Sequence, residues 1–419
     1  VKEHLISMPY SELFPAKALV RQGPRPLAFN LMIAANIYLS SNAALPLLKS
    51  GSLAWNPDLA KSGEKLLGQL GKINPDTFAQ SVERLSRERA AAFITGIERY
   101  RNHPYRRNLP EPTILWSDGT TRLLDYAPEC AGRPILIVPS LINRHYILDL
   151  KADRSFVRWL AGEGFRPFVV DWGVPGEVER GFSLTDYICR RLEPALDRIT
   201  DACSASPAIV GYCMGGLLAL SLAVRNQEAI SGLALLATPW DFHAENSDHA
   251  ATIATIGGGL EPQLQSFGEL PTDILQTLFS GLDPLLAERK FVGFAALEPE
   301  SDEAISFVAL EDWVNDGVPL AAPVARECFA QWYGANSPGR GEWRIEDEKV
   351  EPSDFKNPSL VVVPSSDRIV PPESAAAIGE ALPNATLLRP AAGHIGMIVG
   401  RKAKTKVWQP VADWLRALS

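Results

Sequence analysis

Two hydrophobic patterns divide the chain. From about residue 113 onward, short apolar runs rich in branched residues recur at 135–138, 168–170, 208–210, 233–236 and 360–363. Segments with helical periodicity separate most of them, at 154–162, 183–200 and 217–226. Continuous apolar runs of that length are what strands buried on both faces require, and their alternation with helices predicts a mostly parallel sheet covered on both sides. Upstream the pattern is different. Residues 27–48 are apolar but broken by Asn30, Asn36, Ser40, Ser41, Asn42 and Pro46, which fits a packed helix, or a surface that docks on a polymer granule, a membrane or a partner, better than a membrane span. A second helix is better defined: Asn74 caps it, Pro75 takes its first turn, and Phe78, Val82, Leu85, Phe93 and Ile97 recur on one face up to His103-Pro104. The expected division is therefore an N-terminal helical region over 1–112 and an α/β domain over 113–419. Within the second, the alternation stops at about 240–345, where a helical, aromatic-rich stretch reads as an inserted cap able to exclude water.

The run at 208–210 leads into Gly211-Tyr212-Cys213-Met214-Gly215 and then an apolar helix. This is the strand–turn–helix setting of the G-x-S-x-G nucleophile elbow, with cysteine where serine is usual. The motif makes the sequence profile that of an α/β-hydrolase fold. Cys213 is then the candidate nucleophile, at a helix N-terminus where the macrodipole favours thiolate. The Met214 amide becomes one candidate oxyanion donor. The second should come from the loop after the 135–138 strand, from the amide of Leu141 or Ile142. Arg144, His145, Lys151 and Arg154 make that side locally basic.

Composition narrows the setting. The 419 residues are 46% hydrophobic and 21% charged, with a net charge of −8. That is globular composition, and the negative balance argues against general nucleic-acid binding. The five cysteines are odd in number and lack zinc or redox spacing, so they read as cytosolic thiols. No secretory signal is visible and no metal or redox cofactor is implied.

A cysteine nucleophile needs a base, and the base needs a partner that orients it. In this fold the chain order is nucleophile, acid, histidine. His4, His103 and His145 precede the elbow, while His243 and His249 open the cap. His394 alone lies in a late loop, Ala392-Gly393-His394-Ile395-Gly396. Asp367 follows the 360–363 strand, and the interval to His394 holds one helix (372–382) and one strand (385–388). The expected triad is Cys213, Asp367 and His394.

With these residues placed, the chain resembles the polyhydroxyalkanoate synthases, most closely the catalytic subunit of the short, two-subunit class III type. The resemblance rests on IVPSLINRHYILDL (137–150), DRSFVRWL (153–160), VVDWGVPG (169–176), LTDYI (184–188), GYCMGG (211–216), ATPWDF (237–242), LEDW (310–313), DRIVPP (367–372) and GHIGMIVG (393–400). It covers roughly 115–419; the N-terminal region is longer than the short type needs, and 243–308 shows little match. The resemblance implies an acyltransferase that moves 3-hydroxyacyl groups from CoA thioesters through acyl-Cys213 to a growing polyester, with His394 as base and Asp367 as its partner. It further implies a cytoplasmic enzyme at a polyester granule surface, a homodimer and a second synthase subunit. Two other readings use the same residues: a cysteine hydrolase (polyester depolymerase or thioesterase), and a non-catalytic granule-associated protein.

Overall fold

The computed structural model describes residues 21–55, 59–70, 73–244 and 247–418; His4 lies outside them. Eight strands form one sheet: β1 (Thr113–Asp118), β2 (Thr121–Asp125), β3 (Pro134–Val138), β4 (Arg166–Asp171), β5 (Ala208–Tyr212), β6 (Gly232–Leu236), β7 (Ser359–Val362) and β8 (Ala385–Leu388). Their spatial order is β1-β2-β4-β3-β5-β6-β7-β8. From β4 to β8 every pairing is parallel; β1 and β2 run antiparallel at one edge. The mostly parallel sheet expected from the apolar runs is thus present. In β3, Ile135, Leu136, Ile137 and Val138 have no solvent exposure, because helices cover both faces.

The chain divides into two compact units. The larger comprises 107–282 and 316–419 and contains the sheet. Parallel register brings the strand ends into line: Val138 pairs with Gly211, and Tyr212 with Leu236. The loops after β3, β5, β7 and β8 therefore open at one edge of the sheet, which positions the site.

The smaller unit comprises 1–106 together with 283–315. The stretch 283–315, expected within the cap, thus clusters with the N-terminal helices. The helix Pro75–Asn102 starts as its sequence requires, with Asn74 Oδ1 accepting from the amides of Asp76 and Thr77. Its buried side is the C-terminal half, where Phe93, Ile97 and Tyr100 pack with Ala34, Phe291, Phe294, Ala304 and Val308. Leu85, expected on the buried face, is 54% exposed. The periodicity continues through the whole helix, but packing partners reach only its second half. The apolar segment forms the helix Leu27–Ala43 and runs into a second, short one, Leu45–Ser50, and no described helix is long and apolar enough to cross a membrane.

Candidate active site

β5 ends at Tyr212, and the next residue turns sharply into the helix Met214–Arg225. Cys213 sits at that turn with φ 56° and ψ −131°, a conformation unfavourable for a side-chain-bearing residue. Its neighbours hold it there. The Cys213 amide donates to Leu236 O at 2.9 Å, and its carbonyl accepts from the Gly216 amide at 2.9 Å. Two glycines make the turn sterically feasible. A Cβ on Gly211 would lie 2.4 Å from Gly216 Cα, so strand and helix approach only without it. A Cβ on Gly215 would lie 2.2 Å from Val138 O and 2.4 Å from Pro139 O, so this glycine lets the loop after β3 close on the helix start. Cys213 is half-buried.

Asp367 and His394 come together as the topology requires, on the loops after β7 and β8. His394 Nδ1 lies 2.7 Å from Asp367 Oδ2, and both side chains are buried. Asp367 Oδ1 accepts from the amides of Ile369 and Val370 at 2.8 and 3.0 Å, which fixes the carboxylate while its other oxygen faces the imidazole. The Cys213 thiol is within hydrogen-bonding reach of the same ring. Burial opposes a positive charge on His394, but the Cys213 charge and the hydrogen bonds to Asp367 and Cys213 outweigh it and raise the imidazole from 6.5 to about 10. The three residues expected to form a triad therefore share one site. Other histidines are engaged elsewhere: His103 Nε2 contacts Pro299 O and His243 Nε2 contacts Tyr333 O, each at 2.8 Å.

The two candidates for the second oxyanion donor differ. The Ile142 amide donates to Ser140 Oγ at 3.0 Å, closing a local turn. Leu141 is left as the better candidate beside Met214. The basic residues after β3 are largely paired with acids. Arg144 lies 3.7 Å from Asp316, Lys151 2.5 Å from Asp153, and Arg154 donates to Val399 O at 2.7 Å. His145 Nδ1 lies 3.1 Å from Asp171 Oδ1, close enough for an ion pair although not aligned as a hydrogen bond. Burial disfavours the Asp171 charge, yet His145, Arg122 and the Gly173 amide hold its carboxyl well below the usual range.

Sequence reasoning missed two features. Tyr212 stacks on His394, with ring centroids 5.2 Å apart and planes 29° apart, and its hydroxyl donates to His394 O at 3.2 Å. Its position directly before Cys213 was the available signal. An aromatic cluster also stands nearby: Phe242 against Trp332 and Tyr333, and Trp343 against Trp332 and Trp240. Burial is the largest cause of the raised pKa of Tyr333, with smaller contributions from Cys328 and then Cys213, which places this phenol near Cys213. Among the described residues, no group of three or more His, Cys, Asp or Glu could hold a metal ion.

The chain is similar to several known proteins. Poly(3-hydroxyalkanoate) polymerase subunit PhaC of Haloferax mediterranei is 29% identical over 315 residues, covering 72% of this chain and 63% of that protein. Less than two thirds of the haloarchaeal protein thus has a counterpart here. The subunit of the same name from Allochromatium vinosum is 28% identical over 293 residues, covering 69% of this chain and 82% of that protein. A solved monoacylglycerol lipase from Paleococcus ferrophilus, 17% identical, aligns over 71% of this chain and 99% of its own with a TM-score of 0.48. The family model described as alpha/beta hydrolase fold matches residues 133–401, from the first buried parallel strand to just past the histidine loop. That match takes in the elbow, the acid and the histidine, and the chain belongs to the α/β-hydrolase fold family.

Proposed function

We propose that the protein is a polyhydroxyalkanoate synthase-like acyltransferase that works through an acyl-cysteine. The observation that carries this reading is the buried His394–Asp367 contact of 2.7 Å with the Cys213 thiol in reach of the same imidazole. The similarity to poly(3-hydroxyalkanoate) polymerase subunits supplies the substrate class.

In the first step the Cys213 thiolate, its proton held on His394, attacks the carbonyl carbon of a 3-hydroxyacyl-CoA. The oxyanion is held by the Met214 amide and, from the other side, by the Leu141 amide; one such donor contributes about 3 kcal/mol. CoA leaves as its thiol, taking the proton from His394. One thioester has replaced another, so the acyl group keeps its transfer potential. Cys213 now carries no charge, and one of the forces that kept His394 protonated has gone. The neutral imidazole takes the proton of an incoming hydroxyl, from a second monomer or a chain end. That oxygen attacks the acyl-cysteine, an ester forms, and the thiolate leaves with the imidazolium beside it. Asp367 holds the ring in the correct tautomer through both steps. The aromatic cluster around Phe242, Trp332 and Tyr333 limits water, which would otherwise take the acyl group.

These steps use protein groups alone. Work at a granule surface, a homodimer and a second subunit belong to the same proposal. The test is incubation of the purified protein with 3-hydroxybutyryl-CoA, following CoA release and polymer. CoA release with polymer supports the synthase reading. CoA release with free acid alone would make the protein a hydrolase, and no turnover of acyl-CoAs would refute both enzymatic readings for the isolated chain.

A further inference from the structure

We infer that Tyr212 is a positioning residue for His394, its ring setting the imidazole and its hydroxyl pinning the loop that carries it. The inference rests on the reading of His394 as the base. Three observations support it. The two rings lie nearly parallel, 29° apart with centroids at 5.2 Å. The Tyr212 hydroxyl donates to the carbonyl of His394 itself at 3.2 Å. Both side chains are buried, and Tyr212 is the last residue of a central strand, so it sits on a rigid element and cannot drift.

The chemistry follows from the geometry. An aromatic face within about 6 Å attracts a cation, so Tyr212 favours the imidazolium over the neutral ring. The hydroxyl can serve as donor only while protonated. Burial, then the charges of Cys213 and Asp367, raise its pKa well above 10, so it stays a phenol. The groups that bear on this cluster are therefore Cys213, Asp367, Tyr212 and, through Cys213, Tyr333. Asp367 fixes one ring nitrogen, and Tyr212 fixes the ring plane and the main chain. A ring held only at its nitrogens, by Asp367 and the Cys213 thiol, could still rock about the line joining those contacts.

The test uses the full chain as wild type, Tyr212→Phe, Tyr212→Leu and His394→Ala. Two quantities are read: the single-turnover release of CoA from 3-hydroxybutyryl-CoA as a function of pH, and the imidazole titration by NMR. Tyr212→Leu is expected to lower the His394 pKa by about half a unit to one unit. It should also slow acylation by about tenfold, with half-saturation unchanged. Tyr212→Phe keeps the ring, so it should restore the wild-type titration while remaining roughly two- to tenfold slow for want of the hydroxyl bond. A wild-type titration in Tyr212→Leu overturns the role of the ring. A wild-type rate in Tyr212→Phe overturns the role of the hydroxyl, and this variant decides alone if the leucine variant does not fold. His394→Ala separates the two levels. If it still acylates at the wild-type rate, the base assignment fails. If it is inactive while both Tyr212 variants behave as wild type, only the present inference fails.

Discussion

Gly215→Ala tests how the elbow and the loop after β3 are fitted together. A methyl group there would meet Val138 O at 2.2 Å, Pro139 O at 2.4 Å and the Pro139 carbonyl carbon at 2.5 Å. Contacts of 3.0–3.4 Å are already tight, so a backbone carbonyl must retreat by about 1 Å. No side chain can swing away to absorb this, because the obstacles are main chain on both counts. The loop that would move carries Leu141, the proposed partner of the Met214 amide at the oxyanion. Overpacking of this kind costs about 1–3 kcal/mol of stability. A misplacement of about 1 Å at a reacting centre costs about a hundredfold in rate. The expected result is a folded protein with a lowered melting temperature and single-turnover CoA release slowed about a hundredfold. Gly258→Ala is the control. A Cβ there meets nothing within 4 Å, the residue is exposed, and it lies in the helix Ser247–Gly259. That change should leave CoA release alone and add about 0.5–1 kcal/mol of stability. If Gly215→Ala matches wild type in both rate and melting, the loop is not held against the helix start and the proposed oxyanion geometry is wrong.

Four further outcomes are expected. Capping Cys213 with a neutral alkyl group removes its charge from beside His394, so an NMR titration should show the imidazole pKa falling from about 10; an unchanged value would mean that Asp367 alone holds the proton. In the unmodified protein the raised His394 pKa adds stability that is fully present below pH 6.5 and is lost as pH rises through about 10, which denaturant unfolding across that range would detect. Cys213→Ala should fold and accept no covalent acyl label, whereas Asp367→Asn should retain part of the acylation and lose about 10²–10⁴ in transfer to the hydroxyl, because a thiolate at a helix N-terminus needs less help from the base. Deleting residues 1–50 removes Ala34 from the cluster around Phe93 and Phe291, so it should lower the stability of the smaller unit; co-sedimentation with polyester granules, compared with soluble acyl transfer, then tests the docking role proposed for this region.

The legible parts of the fold were those where local chemistry dictates structure. β3, β5, β6 and β7 are buried on both faces, so each announces itself as an unbroken apolar run. Asp367 and His394 were found because topology fixes the order in which strands deliver them. The edge strand β1 gave no such signal: its burial is slight at Ile114, which is 51% exposed, so its sequence need not be apolar. Nor could the sequence tell Leu141 from Ile142, since the choice depends on which amide Ser140 Oγ takes. Tyr212 lay in the quoted motif, yet its contact with His394 spans 182 positions and depends on the fold being complete. The same holds for the clustering of Phe291 and Phe294 with Phe93, which no local periodicity encodes.

The divided build of the smaller unit sets a timetable for synthesis. Phe93, Ile97 and Tyr100 leave the ribosome long before their partners Phe291, Phe294 and Val308, with all of β1 to β6 emerging in between. At roughly 5–20 residues per second, the first helices wait on the order of ten seconds or more with an apolar face uncovered. The sheet is not complete in that interval either, since β7 and β8 come later still. Nascent chains halted between residues 110 and 280 should therefore recruit chaperones through the helix Pro75–Asn102, and release them once residue 315 has emerged.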